Sequence, residues 1–158
     1  MAIDYPQGHV GASGAKSLLE QAKTMLPQKT QNLRCELLLK ESGNYMVTYN
    51  IDTSDGLTNG ATCKITNVQC VNNNPTVVWV LFLDKEVGSI KRQKNRHLSS
   101  ASSDLDKCWT PILKIQREFQ VEKNNNVKVV RKQFPLTPVE AITIHKSQGS
   151  TVDKADVL

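Results

Sequence analysis

Residues 133–152, QFPLTPVEAITIHKSQGSTV, run from a helix start into a polar loop closed by a glycine. Thr137 is placed to cap the helix. Pro138 suits the first helical position because it lacks an N–H that would go unpaired there, and Glu140 completes a capping box. A helix is therefore predicted from Pro138 onward, with Val139, Ala141 and Ile142 on its apolar side. His145, Lys146, Ser147 and Gln148 follow as a dense set of hydrogen-bonding groups, and Gly149 can take the left-handed conformation that ends a helix. Thr143 and Ser147 offer hydroxyls, Lys146 a charge and His145 a ring nitrogen, a set suited to gripping phosphate oxygens without reading bases. On a helix face taken alone, His145 is more often a hydrogen-bonded structural histidine.

Working back from that stretch, the chain alternates short apolar runs with turn signals. Leu18, Leu19, Ala22, Met25 and Leu26 recur at helical spacing until Pro27 stops the pattern. Strands are expected at 35–39, 45–49, 63–71 and 77–83, and a hairpin pairs 119–121 with 127–130 around an asparagine-rich loop. Tyr45 and Tyr49 read as sheet-packing residues, since strand aromatics are usually buried. Asp55-Gly56 and Asn59-Gly60 each supply the positive backbone angles of tight turns. Such short strands with polar connections suggest a small barrel or curled sheet. Residues 88–107 are basic and then serine-rich, with few large apolar side chains. A mobile surface loop is expected there, either a spacer or a DNA-contacting arm, closed by Trp109 as an anchor in the barrel core.

The chain has 158 residues and a formal net charge of +5. Residues 85–96 hold five basic and one acidic side chain, and residues 123–132 hold four basic and none acidic. Both patches suit a phosphate backbone, and both also suit a solvated surface. The four cysteines form no C-x-x-C and have no histidine at zinc-ligand spacing, so reduced thiols and no metal site are expected. No secretory signal and no membrane-length apolar run is present, and an intracellular protein of the nucleus or mitochondrion, with no membrane partner, is the expectation.

Two runs carry a resemblance. AITIHKSQGST, residues 141–151, resembles motif V of superfamily-one DNA helicases, in particular the Pif family and the helicase of Helitron transposons. YMVTYNIDTSDGLTNGA, residues 45–61, is similar to the segment of those helicases that enters a small inserted β-barrel. Weaker similarity at residues 2–4 and 77–88 extends the likeness over nearly the whole chain. Cys63 stands where the family usually has a glycine. The resemblance implies an α/β fold: part of the second RecA-like P-loop motor domain, with an inserted Src-homology-type β-barrel. It would place residues 1–50 in the motor domain, 51–132 in the barrel with its loop at 88–107, and 133–158 back in the motor domain. It further implies that Thr143, His145, Lys146 and Ser147 contact single-stranded DNA, and that Gln148 and Gly149 couple to nucleotide.

ATP hydrolysis requires a loop of the form GxxxxGK[ST], and the sequence has none. In GASGAKS, residues 11–17, Val10 and Ala15 occupy the positions the two glycines would need. The family's acidic and arginine motifs are absent as well. The chain thus reads as a C-terminal fragment of an ATP-dependent 5′-to-3′ DNA helicase, with ATP and Mg held by the parent and none by this chain, and with the remaining helicase domains as partners. The alternative is a non-enzymatic barrel that binds nucleic acid or protein, or an inactive transposon remnant.

Overall fold

The computed structural model describes residues 1–8, 11–99, 107–121 and 127–139. Within them, sheets and helices are mixed, and every strand pairing is antiparallel. The strands are β1 (Ile3–Gln7), β2 (Asn44–Val47), β3 (Thr62–Val71), β4 (Asn74–Phe82), β5 (Thr110–Leu113), β6 (Ile115–Gln120), β7 (Lys128–Gln133) and β8 (Leu136–Pro138). They form a three-stranded sheet, β1-β7-β6, and a five-stranded sheet, β5-β4-β3-β2-β8.

The five-stranded sheet curls round one core. Tyr45, Val47, Cys63, Ile65, Val78, Val80, Phe82, Ile112 and Leu136 come from all five strands and meet in a single cluster with Leu57 and Phe134. Because Ile112 and Leu136 lie on the two edge strands, their shared cluster requires the sheet to bend its edges toward one another. Asn72 and Asn73, both at left-handed φ, make the two-residue turn from β3 into β4. The Asp55-Gly56 and Asn59-Gly60 turns take the expected positive angles at Gly56 and Gly60. Within this sheet β2 pairs with β3 on one side and with the edge strand β8 on the other.

The three-stranded sheet packs on helix α1 (Ala12–Thr24). Leu18 and Ala22 are buried, and Leu19 and Met25 join Ala22, Phe119 and Val129 in a second small core. Pro27 begins a 3-10 turn, Pro27–Thr30, which stops the helical pattern as expected. One ion pair closes this layer. Arg131 on β7 is fully buried; its Nε and Nη2 donate to the Asp4 carboxylate of β1 at 2.8 and 2.6 Å. Its remaining donors reach the carbonyls of Leu33 and Ala22 at 3.0 and 2.8 Å. The guanidinium therefore ties β1, α1 and the loop after the 3-10 turn to one strand.

Three sequence expectations change. Residues 35–39 alternate half-buried and exposed like a strand but pair with no strand among the described residues. The hydroxyl of Tyr45 serves them instead, donating to the Leu38 carbonyl at 2.8 Å and accepting from the Lys40 N–H at 2.9 Å. Thr137 and Pro138, expected to begin a helix, are strand residues paired with Met46 and Tyr45. Proline is tolerated there because β8 is an edge, and the Val139 N–H continues the contact to Asn44 at 3.0 Å. Residues 88–107, expected as a loop, carry two short helices in their described part, α2 (Ser89–Lys94) and α3 (Arg96–Ser99).

Candidate nucleic-acid interface

The two basic patches have different fates. In 123–132, Arg131 is buried against Asp4, and Lys128 pairs with Glu118 on the neighbouring strand at 3.0 Å. Alternating side chains on a strand point to opposite faces, so the buried Arg131 does not share a surface with Lys128 and Lys132. In 85–96 the basic residues lie on the turn before α2, on α2 and, for Arg96, at the start of α3.

That helix is held from outside. The carboxylate of Asp55, only 4% exposed, accepts the backbone N–H groups of Ile90 and Lys91, each at 2.8 Å, and the Asp55 carbonyl accepts the N–H of Gly88 at 2.8 Å. A residue of the Asp55-Gly56 turn thus supplies the N-terminal cap that the helix's own sequence lacks. Arg92 then locks the preceding turn: Nη1 donates to the Val87 carbonyl and to Thr110 Oγ1, each at 2.8 Å, and Nη2 to the Lys85 carbonyl. Gly88 sits at φ +79°, with Thr110 where a side chain would stand.

Beside α2 lies a cleft of about 520 Å³, lined by Trp79, Ser89, Arg92, Gln93, Asn95, Arg96, Lys107 and Trp109. Val78, Val80 and Phe82 of β4 point into the core, so Trp79 points to the opposite face, yet it is only 2% exposed. It forms the floor of the cleft. Trp109, expected as a core anchor, is half-buried on the cleft wall instead. Among the described residues the lining carries three cationic side chains and no carboxylate.

Thr143, His145, Lys146, Ser147, Gln148 and Gly149 lie outside the described residues. The cleft was not singled out from sequence. Trp79 sits in an unbroken apolar run that hides which side chains face outward, and the α2 residues read as loop. Residues 11–17 are the first turns of α1, with Lys16 exposed, so they make no phosphate cradle. Among the described residues there is no cluster of metal-ligating side chains, and no helix is long and apolar enough to cross a membrane.

No protein-family model matches the sequence, and no curated protein matches it closely. Solved structures do. The chain is similar to Bacteroides Pif1 bound to single-stranded DNA, with a TM-score of 0.50 and 21% identity over 97% of this chain. It is similar in the same way to the Pif1 helicase of Candida albicans, with a TM-score of 0.51 and 20% identity over 97% of the chain. It spans 26% of the first of those chains and 32% of the second. The likeness at this identity is one of fold.

Proposed function

We propose that the chain is the part of a Pif-family ATP-dependent 5′-to-3′ DNA helicase that grips single-stranded DNA. The observation that carries this reading is the fold likeness to Pif1 structures over 97% of the chain, one of them bound to single-stranded DNA. The AITIHKSQGST run adds independent support. In this reading the curled five-stranded sheet is the inserted Src-homology-type barrel, and the residues around it belong to the second RecA-like domain. Thr143, His145, Lys146 and Ser147 hold phosphate oxygens, and Gln148 and Gly149 face the nucleotide cleft. ATP and Mg act in the parent, whose other domains are the partners. The parent works in the nucleus or mitochondrion, in telomere maintenance, repair, recombination or Helitron transposition.

Fluorescence anisotropy of labelled oligo(dT) across a salt series tests the reading. Affinity should fall linearly on a log–log plot, with a slope of about 0.7 per neutralised phosphate. His145→Ala with Lys146→Ala should weaken binding and flatten the slope while the fold is retained. Salt-insensitive binding, or no binding by a folded sample, sinks the proposal. A second reading, a non-enzymatic nucleic-acid or protein-binding module, is favoured by the five-stranded sheet gathering a core of its own. It predicts DNA or protein binding indifferent to changes at His145 and Lys146.

A further inference from the structure

We infer that the cleft beside α2 is a nucleotide subsite: one base stacks on Trp109, and the adjoining phosphate faces Lys107 and Arg96. The inference rests on the single-strand reading above and assigns it a second place of contact. Three observations lead to it. The first is shape and composition. The cleft, about 520 Å³, falls within the roughly 300–1,000 Å³ typical of ligand sites, and aromatic faces beside cations are the recurring means of holding a base and its phosphate without reading sequence.

The second is charge. Arg92 is committed to the Val87 and Lys85 carbonyls and Thr110, so it serves as a wall; Lys107 is exposed at the rim, and Arg96 lies along it with contacts of its own. Among the described residues the lining has no carboxylate, so these side chains together favour an anion over a cationic peptide. The third is an orphan donor. Trp79 Nε1 is buried with no hydrogen-bond partner, although a buried indole N–H ordinarily has one. That nitrogen is closed to solvent, so a base carbonyl would reach it only as the cleft wall opens around the bound base.

The chain contains two tryptophans, and both line this cleft. Intrinsic fluorescence therefore reports on the subsite itself, while the anisotropy of a labelled oligo(dT) reports binding anywhere on the chain. The expected result is that oligo(dT) quenches tryptophan emission along the same curve as the anisotropy rise. Trp109→Ala should weaken binding about tenfold, the loss of one base–aromatic stack, and Trp109→Phe should restore most of it. Lys107→Glu, at an exposed position that folding does not depend on, should weaken binding and flatten its salt dependence. Circular dichroism distinguishes a lost stack from a lost fold in Trp109→Ala. If the anisotropy rises without quenching and Trp109→Ala and Lys107→Glu bind as wild type, the subsite is overturned while the single-strand reading stands. If the folded chain binds no oligo(dT) at all, both fall. Quenching by a proline-rich peptide but not by oligo(dT) also overturns the subsite.

Discussion

Arg131 and Asp4 stabilise the chain only as a pair. With both oxygens of Asp4 engaged and two carbonyls satisfied by the same guanidinium, removing the carboxylate leaves a buried charge without its counterion. Asp4→Ala should cost about 3–5 kcal/mol, measured by urea unfolding, and a cost below about 1 kcal/mol would disprove the buried-pair account. Sequence could not show this pairing, because a basic run displays its charges but not a partner 127 residues away. Cys63 makes the opposite kind of contribution. Burial pushes its thiol up to about 12 from an ordinary 9.0, so the unfolded chain ionises first as pH rises. The stabilisation is complete below pH 9 and lost on the way to pH 12. Across that window, wild type should lose up to about 1.4 kcal/mol per pH unit more than Cys63→Ala. Parallel pH profiles for the two proteins would remove the thiol from the explanation.

At the level of elements, α2 depends on residues from outside its own sequence. Six residues with no cap would not persist as an isolated helix, and the turn at Asp55 provides what they lack. Asp55→Ala should cost about 1–2 kcal/mol, the upper part of the range for lost caps, and should raise amide exchange in 89–94 selectively. Exchange unchanged in that helix would count against the tertiary cap. Gly88→Ala should release the same helix, since its Cβ would fall 2.5 Å from Thr110 Cγ2 and Oγ1 at a positive φ. This dependence explains why 88–99 reads as a loop in sequence: composition reports what a segment can do alone. Thr137 and Pro138 fail for a related reason. Their capping signature is local, whereas the open edge of β2 is supplied by the fold.

Across the whole molecule, the strands that were legible are those whose apolar runs are bounded by turn residues: β3, β4 and the β6–β7 hairpin, with α1 stopped at Pro27. The allotment of strands to two sheets was not legible, because it is set by pairings between distant segments such as β1 with β7. The cleft was hidden for the same reason, since Trp79 and Trp109 meet α2 only after β4 and β5 pair. The Asp4–Arg131 pair also has a consequence in time. During synthesis β1 emerges first and its partner strand emerges over a hundred residues later; at roughly 5–20 residues per second this is a wait of about 6–25 s. Through that interval Asp4 and the apolar side of α1 have no seat, while β2 to β5 can already pair among themselves. Limited proteolysis of stalled nascent chains should find residues 1–30 cleavable until β7 has left the ribosome. Protection before that point would mean that β1 and α1 have found some other shelter.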